Sequence, residues 1–175
     1  MDISVQLKRS HSSNNAKVVA EYVLQHSRQF KVLVGLCLVN DEDLAKRAAW
    51  ALGMAGQQKP ELLEDCLADI IPALQQQSHP AIKRNFYRVL QEMDIPEDFQ
   101  GIIFGLALQE VANPAAPAAI RAFAMSTAFR IVQKQPVLAR ELELTISDSW
   151  EGAPKAFHSR GRKILKYLDK VSSTS

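Results

Sequence analysis

The sequence predicts an all-α chain: a short right-handed solenoid of four helical pairs with one extra helix in front. Three observations carry this. Proline recurs at Pro80, Pro117 and Pro154, in two equal steps of 37 residues. An apolar pattern of helical period follows each of them. Seven Gly and eight Pro in 175 residues are too few for an all-β chain built on many tight turns. At about 100–200 residues per domain, this length makes one domain with enough chain for a sizeable core.

Residues 1–14 are polar except for Ile3, Val5 and Leu7, and read as a flexible lead-in. A single helix over about Ala16–His26 comes next. Four apolar first helices follow: Phe30–Val39, Leu62–Leu74, Ile102–Val111 and Leu138–Trp150. Each is separated by a short break from a second helix that starts near Asp43, Pro80, Pro117 or Pro154. Asp accepts from free N–H groups of a first turn, and Pro lacks the N–H that would be orphaned there. Ile82, Phe86, Val89, Leu90 and Met93 fall on one helical face, as do Ile120, Ala124, Thr127, Ala128 and Ile131. Phe157, Gly161, Ile164, Leu165 and Leu168 repeat the second set 37 residues on, whereas the Ile82 set is shifted by about one. The repeat domain is placed over 15–171, with 172–175 as a disordered tail.

Helix pairs at a period of about 37–47 residues are the signature of HEAT or armadillo arrays. Over about residues 28–170 the chain resembles HEAT repeats. Asp41-Glu-Asp-Leu-Ala-Lys-Arg-Ala-Ala-Trp-Ala-Leu-Gly53 looks like the second helix of a HEAT unit, with Asp41 and Arg47 at its acidic and basic positions. Ser78 and Ala115 stand at the acidic position of the next two repeats, so the Asp–Arg ladder is expected to be incomplete. The strings Lys46–Leu52, Pro80–Asn85, Ile95–Asp98 and Ala119–Met125 resemble short bacterial HEAT-like proteins that are often labelled adenylosuccinate lyase. The residues do not support that activity. Lyases of the fumarase/aspartase type carry a catalytic Ser in a Gly-Ser-Ser-x-Met-Pro loop, and this chain has neither Gly-Ser-Ser nor Met-Pro.

Composition bounds the rest. With 47% hydrophobic and 23% charged residues, wholesale disorder is excluded. The longest apolar stretch, Val32–Val39, is far short of the ~20 residues that span a membrane, so no membrane partner is expected. No charged-then-apolar leader opens the chain, and two Cys make no disulfide framework; a cytoplasmic monomer is expected. Cys37 and Cys66 read as core thiols, and His11, His26, His79 and His158 are scattered, with no metal-ligand spacing. No hydrolase or phosphate-loop string occurs, and no cofactor is expected. His79, just before Pro80, reads as a helix cap. Trp150 and Asp148 are close enough to evoke HEAT-like DNA glycosylases, which use an aromatic cleft and a catalytic Asp. Trp50 among small residues, and Trp150 at a helix end, read more simply as space-filling rings.

The basic residues are the most informative feature. Residues 154–175 hold six cations against Asp169, a net +5, in a chain whose total is +2. Lys46, Arg47, Lys83, Arg84 and Arg88 fall on the first two second helices, and Arg121, Arg160, Arg162 and Lys163 on the last two. In a HEAT array these helices line the concave surface, where a shared positive face would attract phosphate backbone or an acidic peptide. The competing reading is structural: Arg47, Arg84 and Arg121 recur at one spacing and would bond carbonyls between stacked repeats. The sequence therefore predicts a non-catalytic scaffold that offers a concave surface to a protein partner. Nucleic-acid binding through a basic groove stands as the alternative.

Overall fold

The structure is a computed structural model that describes residues 1–76 and 79–172. Ser78 and the tail over 173–175 lie outside the described residues. Among the described residues there are ten α-helices and two short 3-10 segments, with no strand, so the class is all-α as expected. The chain packs as two compact units, Met1–Asp94 and Ile95–Ser175.

The first unit holds α1 (Ile3–Arg9), α2 (Ser13–Gln25), α3 (Arg28–Cys37), α4 (Glu42–Gly56), α5 (Leu67–Gln75) and α6 (Pro80–Leu90), with a 3-10 segment over Pro60–Cys66 ahead of α5. Helix α1 corrects the sequence reading, which placed a flexible lead-in over 1–14. The Asp2 carboxylate accepts from the Val5 N–H at 3.0 Å and so caps it. Ile3 and Leu7, one helical turn apart, are both buried. The turn into α2 is tied by buried Asn15, whose Nδ2 donates to the Gln6 and Ser10 carbonyls at 2.9 and 2.8 Å. Helix α2, expected to stand alone in front, therefore has a partner.

The second unit holds α7 (Glu97–Ala112), α8 (Ala118–Val132), a 3-10 segment over Pro136–Leu138, α9 (Ala139–Asp148) and α10 (Lys155–Ser172). Helix α10 reaches Ser172, the first residue of the expected tail.

The helix caps define the repeat register more sharply than the prolines do. Asp41, His79, Pro117 and Pro154 occupy equivalent positions. The carbonyl of each accepts the N–H four residues on, from Ala45, Lys83, Arg121 and His158 at 2.8, 3.4, 3.1 and 3.2 Å. The caps are thus 38, 38 and 37 residues apart. Pro117 is itself a cap, whereas Pro80 is the first helical residue behind a capping His79. Counted from the caps, the one-residue shift of the Ile82 set vanishes. The residues 3, 7, 10, 11 and 14 positions on are Leu44, Ala48, Ala51, Leu52 and Ala55 in α4. They are Ile82, Phe86, Val89, Leu90 and Met93 in α6, and Ile120, Ala124, Thr127, Ala128 and Ile131 in α8. All fifteen are buried, as are Phe157, Gly161, Ile164 and Leu168 at the matching positions of α10; Leu165 is half-buried.

Residue size within this shared pattern sets how closely helices approach. The face of α4 is mostly Ala and Gly, and α6 lies directly against it. A Cβ built on Gly53 would meet the Asn85 carboxamide, and one on Gly56 would meet Val89, with Cγ1 only 2.8 Å away. Gly56→Ala is therefore expected to destabilise by about 1 kcal/mol net. Overpacking against a stiff β-branched side chain costs about 1–3 kcal/mol, and the better helix propensity of Ala offsets at most about 1 of it. A rise in the urea midpoint on this substitution would contradict so close an approach.

Candidate functional site

The nine basic residues singled out by the sequence separate into two groups. The first group is held by the protein itself. Lys46 Nζ lies 3.1 Å from Glu42 Oε1 and 3.0 Å from Asp43 Oδ1, one turn back along α4. The hydrogen bond from Lys46 holds the Asp43 carboxyl below its ordinary pKa, and the same bond raises that of Lys46. Arg47 Nη1 donates to the Leu7 and Lys8 carbonyls at 3.1 and 3.3 Å, closing the C-terminal end of α1. A cation there also faces the negative end of the helix dipole. No Asp41–Arg47 rung forms: the Asp41 carboxylate accepts the Leu44 N–H at 3.1 Å as an N-cap.

Arg121 is buried, with 4% of its surface exposed. Its Nε donates to the Val111 carbonyl at 3.0 Å, in the last turn of α7, and its Nη2 reaches the Ser149 carbonyl at 3.5 Å. Its guanidinium lies 4.3 Å from the centroid of the buried Phe157 ring. Desolvation lowers its pKa from the ordinary guanidinium value. His158, at the same cap offset as Arg121, bonds through Nε2 to the Trp150 carbonyl at 2.8 Å. Arg160, at the same offset as Arg47, donates to the Ser126 hydroxyl on α8.

The other five differ in burial. Arg84, Arg162 and Lys163 are exposed, and Arg88 and Lys83 are half-buried. Desolvation, together with the like charge of Arg84, lowers the pKa of Arg88. The expectation that Arg47, Arg84 and Arg121 share one position is corrected here. Counted from their caps they stand six, five and four residues on, about 100° apart around the helix from one to the next. Arg84 accordingly turns to solvent while the other two cap helix ends.

The two tryptophans are packing elements. Trp50 meets His11 edge to face at 5.7 Å. Trp150 lies on His158 with ring centroids 4.7 Å apart, in the space left by Gly161, where a Cβ would come within 2.7 Å of the ring. Cys37 and Cys66 are free and buried, and burial pushes both thiols up in pKa.

Sequence reasoning missed a cleft in the first unit. It has a volume of about 370 Å³ and lies between the end of α3, the start of α4, α5 and the cap of α6. Ala45, Pro72 and Ile82 give it apolar walls; Glu42, Asp69 and His79 supply its charge and polarity. His79 Nδ1 accepts the Ala81 N–H at 3.1 Å, as a capping residue should, which leaves the proton on Nε2, 3.8 Å from Glu42 Oε1. Leu38 and Val39 line the cleft and stay 38% and 39% exposed. No sequence signal pointed to it: Leu38 and Val39 read as the end of an apolar first helix, whereas α3 ends at Cys37.

Helical pairs, capped at a 37–38-residue interval and sharing one buried pattern, define a helical-repeat protein. The HEAT repeat domain family matches residues 3–168, and the chain belongs to it. The match begins with α1, in agreement with the structure. Searches of curated proteins and of solved structures gave no match. HEAT repeats commonly serve as protein-interaction scaffolds and are typically non-enzymatic. No described helix is long and apolar enough to cross a membrane.

Proposed function

We propose that this protein is a non-catalytic HEAT-repeat module that binds a protein partner in the cytoplasm. The cleft at the turns of the first unit carries this reading. Its volume suits one or two side chains of a partner, and Leu38 and Val39 offer apolar surface beside the Asp69 and Glu42 carboxylates. The perturbed ionisable groups of the protein, of which only Cys37 lines the cleft, support a binding role over a catalytic one. Shifted pKa values often mark active sites. Here each has a structural cause: the Lys46–Asp43 pair on a helix surface, two buried thiols, and the desolvated Arg88 and Arg121. Two free, buried cysteines suit a reducing compartment.

The test is capture from native extract on the immobilised protein, with and without nuclease, alongside a Leu38→Asp/Val39→Asp variant. A protein retained after nuclease treatment by the wild type, and lost from the variant, is the expected result. Recovery that vanishes with nuclease would overturn the reading. Purified protein at high concentration is also expected to leave adenylosuccinate uncleaved.

A further inference from the structure

We propose that the outward face of α10 is a binding site for single-stranded nucleic acid, a function beyond the protein-partner reading. One face of this helix is committed to the core: Phe157, Gly161, Ile164 and Leu168 are buried. The opposite face carries Lys155, Arg162, Lys163 and Lys166, all exposed. Projected on a helix, these four fall within about 100° of one another, and they extend over ~16 Å of axis at ~1.5 Å per residue.

What marks this face is the clustering of four exposed cations without an ion pair. Some surface cations elsewhere sit beside a carboxylate one turn away: Lys17 by Glu21 at 3.7 Å, Lys46 by Glu42 at 3.1 Å, Arg140 by Glu143 at 2.9 Å. The exposed Arg9, Arg28, Lys31, Lys59 and Arg84 have no ion pair among the described residues, but at most two of them share an element. Among the described residues, Lys155, Arg162, Lys163 and Lys166 form no ion pair, although Asp169 stands one turn beyond Lys166. Arg162 and Lys166 are one turn apart, and so are Lys163 and Lys166, arrangements that repel on an isolated helix. A phosphate backbone relieves that repulsion and releases its own counterions on binding. At ~3.4 Å of axial rise per phosphate, ~16 Å of strand presents about four or five charges to the four cations.

An aromatic ring decides between polyanions. Tyr167, next to Lys166 and one turn beyond Lys163, stays 43% exposed. Its ring is braced edge to face on Phe129 of α8, with centroids 5.0 Å apart and planes at 83°. Arg160, bonded to Ser126, fixes α10 to α8 one side of that pair. A held, partly open aromatic face among unpaired cations is what an unpaired base stacks on; an acidic peptide has no use for it. Tyr167 is thus the stacking platform, and the cations follow the backbone without reading sequence.

Fluorescence anisotropy on the full chain tests this, with labelled dT12 and U12 at ~50 mM salt and a poly-glutamate 12-mer as competitor. Saturable binding of at least one oligonucleotide is expected, and log K should fall with log salt at about −0.7 per phosphate contacted. The triple variant Arg162→Gln/Lys163→Gln/Lys166→Gln should lose tenfold or more in affinity and flatten the salt slope by about 2. Tyr167→Leu, still folded by circular dichroism, should weaken binding about five- to hundredfold and leave the slope unchanged. Lys17→Gln/Arg140→Gln, which removes two paired charges, should change affinity less than twofold. The proposal fails if no oligonucleotide binds, as for a merely solvated terminal face. It fails equally if the control loses as much as the triple variant, or if poly-glutamate binds more tightly than either oligonucleotide. None of these outcomes touches capture of a protein partner at the first unit.

Discussion

Leu90→Ala is expected to lower the free energy of unfolding by about 2–5 kcal/mol, the range for emptying a well-packed aliphatic site. Leu90 is fully buried and stands 11 residues past the His79 cap. Leu52 holds the same position in α4 and is also fully buried. Repeat arrays gain stability from nearest-neighbour interfaces, so the loss should appear as a shift of the whole first-unit transition in urea. A change under ~0.5 kcal/mol would show that the face assigned to α6 is wrong.

The repeat was legible because its buried positions carry a strong pattern. Residues Ile82 through Met93 and Ile120 through Ile131 place the same offsets on one face, and helical period needs nothing more. Two features were harder to read. Helix α1 has seven residues and only Ile3 and Leu7 buried, too few for a periodic signal; the Asp2 cap and the Arg47 side chain that closes its far end complete it. The slip of one residue at Pro80 arose because Pro suits both a cap and the first helical position, so the register was counted from Pro80 although His79 before it already read as the cap.

The binding residues divided for a similar reason. Arg47, Arg121 and His158 answer to backbone carbonyls, which every residue carries and no sequence displays. An arginine that closes a helix end reads like one that meets a ligand. The unmatched face of α10 was more open to reading. Lys166 follows Arg162 by four residues and Tyr167 sits beside it, with Asp169 the sole acidic residue of that helix. What the sequence could not supply was Phe129, 38 residues earlier in the chain, as the brace for that ring.

Arg121→Gln and Arg84→Gln should have opposite consequences, although both arginines stand four residues after a proline. Arg121→Gln is expected to cost about 2.5–5 kcal/mol. The charge-assisted bond to the Val111 carbonyl contributes about 1.5–3 of this, and the desolvated contact with Phe157 about 1–2. Glutamine is too short to reach Ser149, and it leaves a carbonyl in the last turn of α7 without its donor. Arg121→Lys should recover only part of the loss, since an ammonium cannot serve two carbonyls and lie flat on the ring at once. Arg84, exposed and without a carboxylate partner among the described residues, contributes field rather than stability. Arg84→Gln should change stability by less than ~0.5 kcal/mol. It removes the like charge that lowers the pKa of Arg88, so any change should be a slight gain. Denaturant midpoints of the three variants decide the matter. Equal losses at positions 84 and 121 would mean that the two arginines share one structural role after all, and that the cap-based register is wrong.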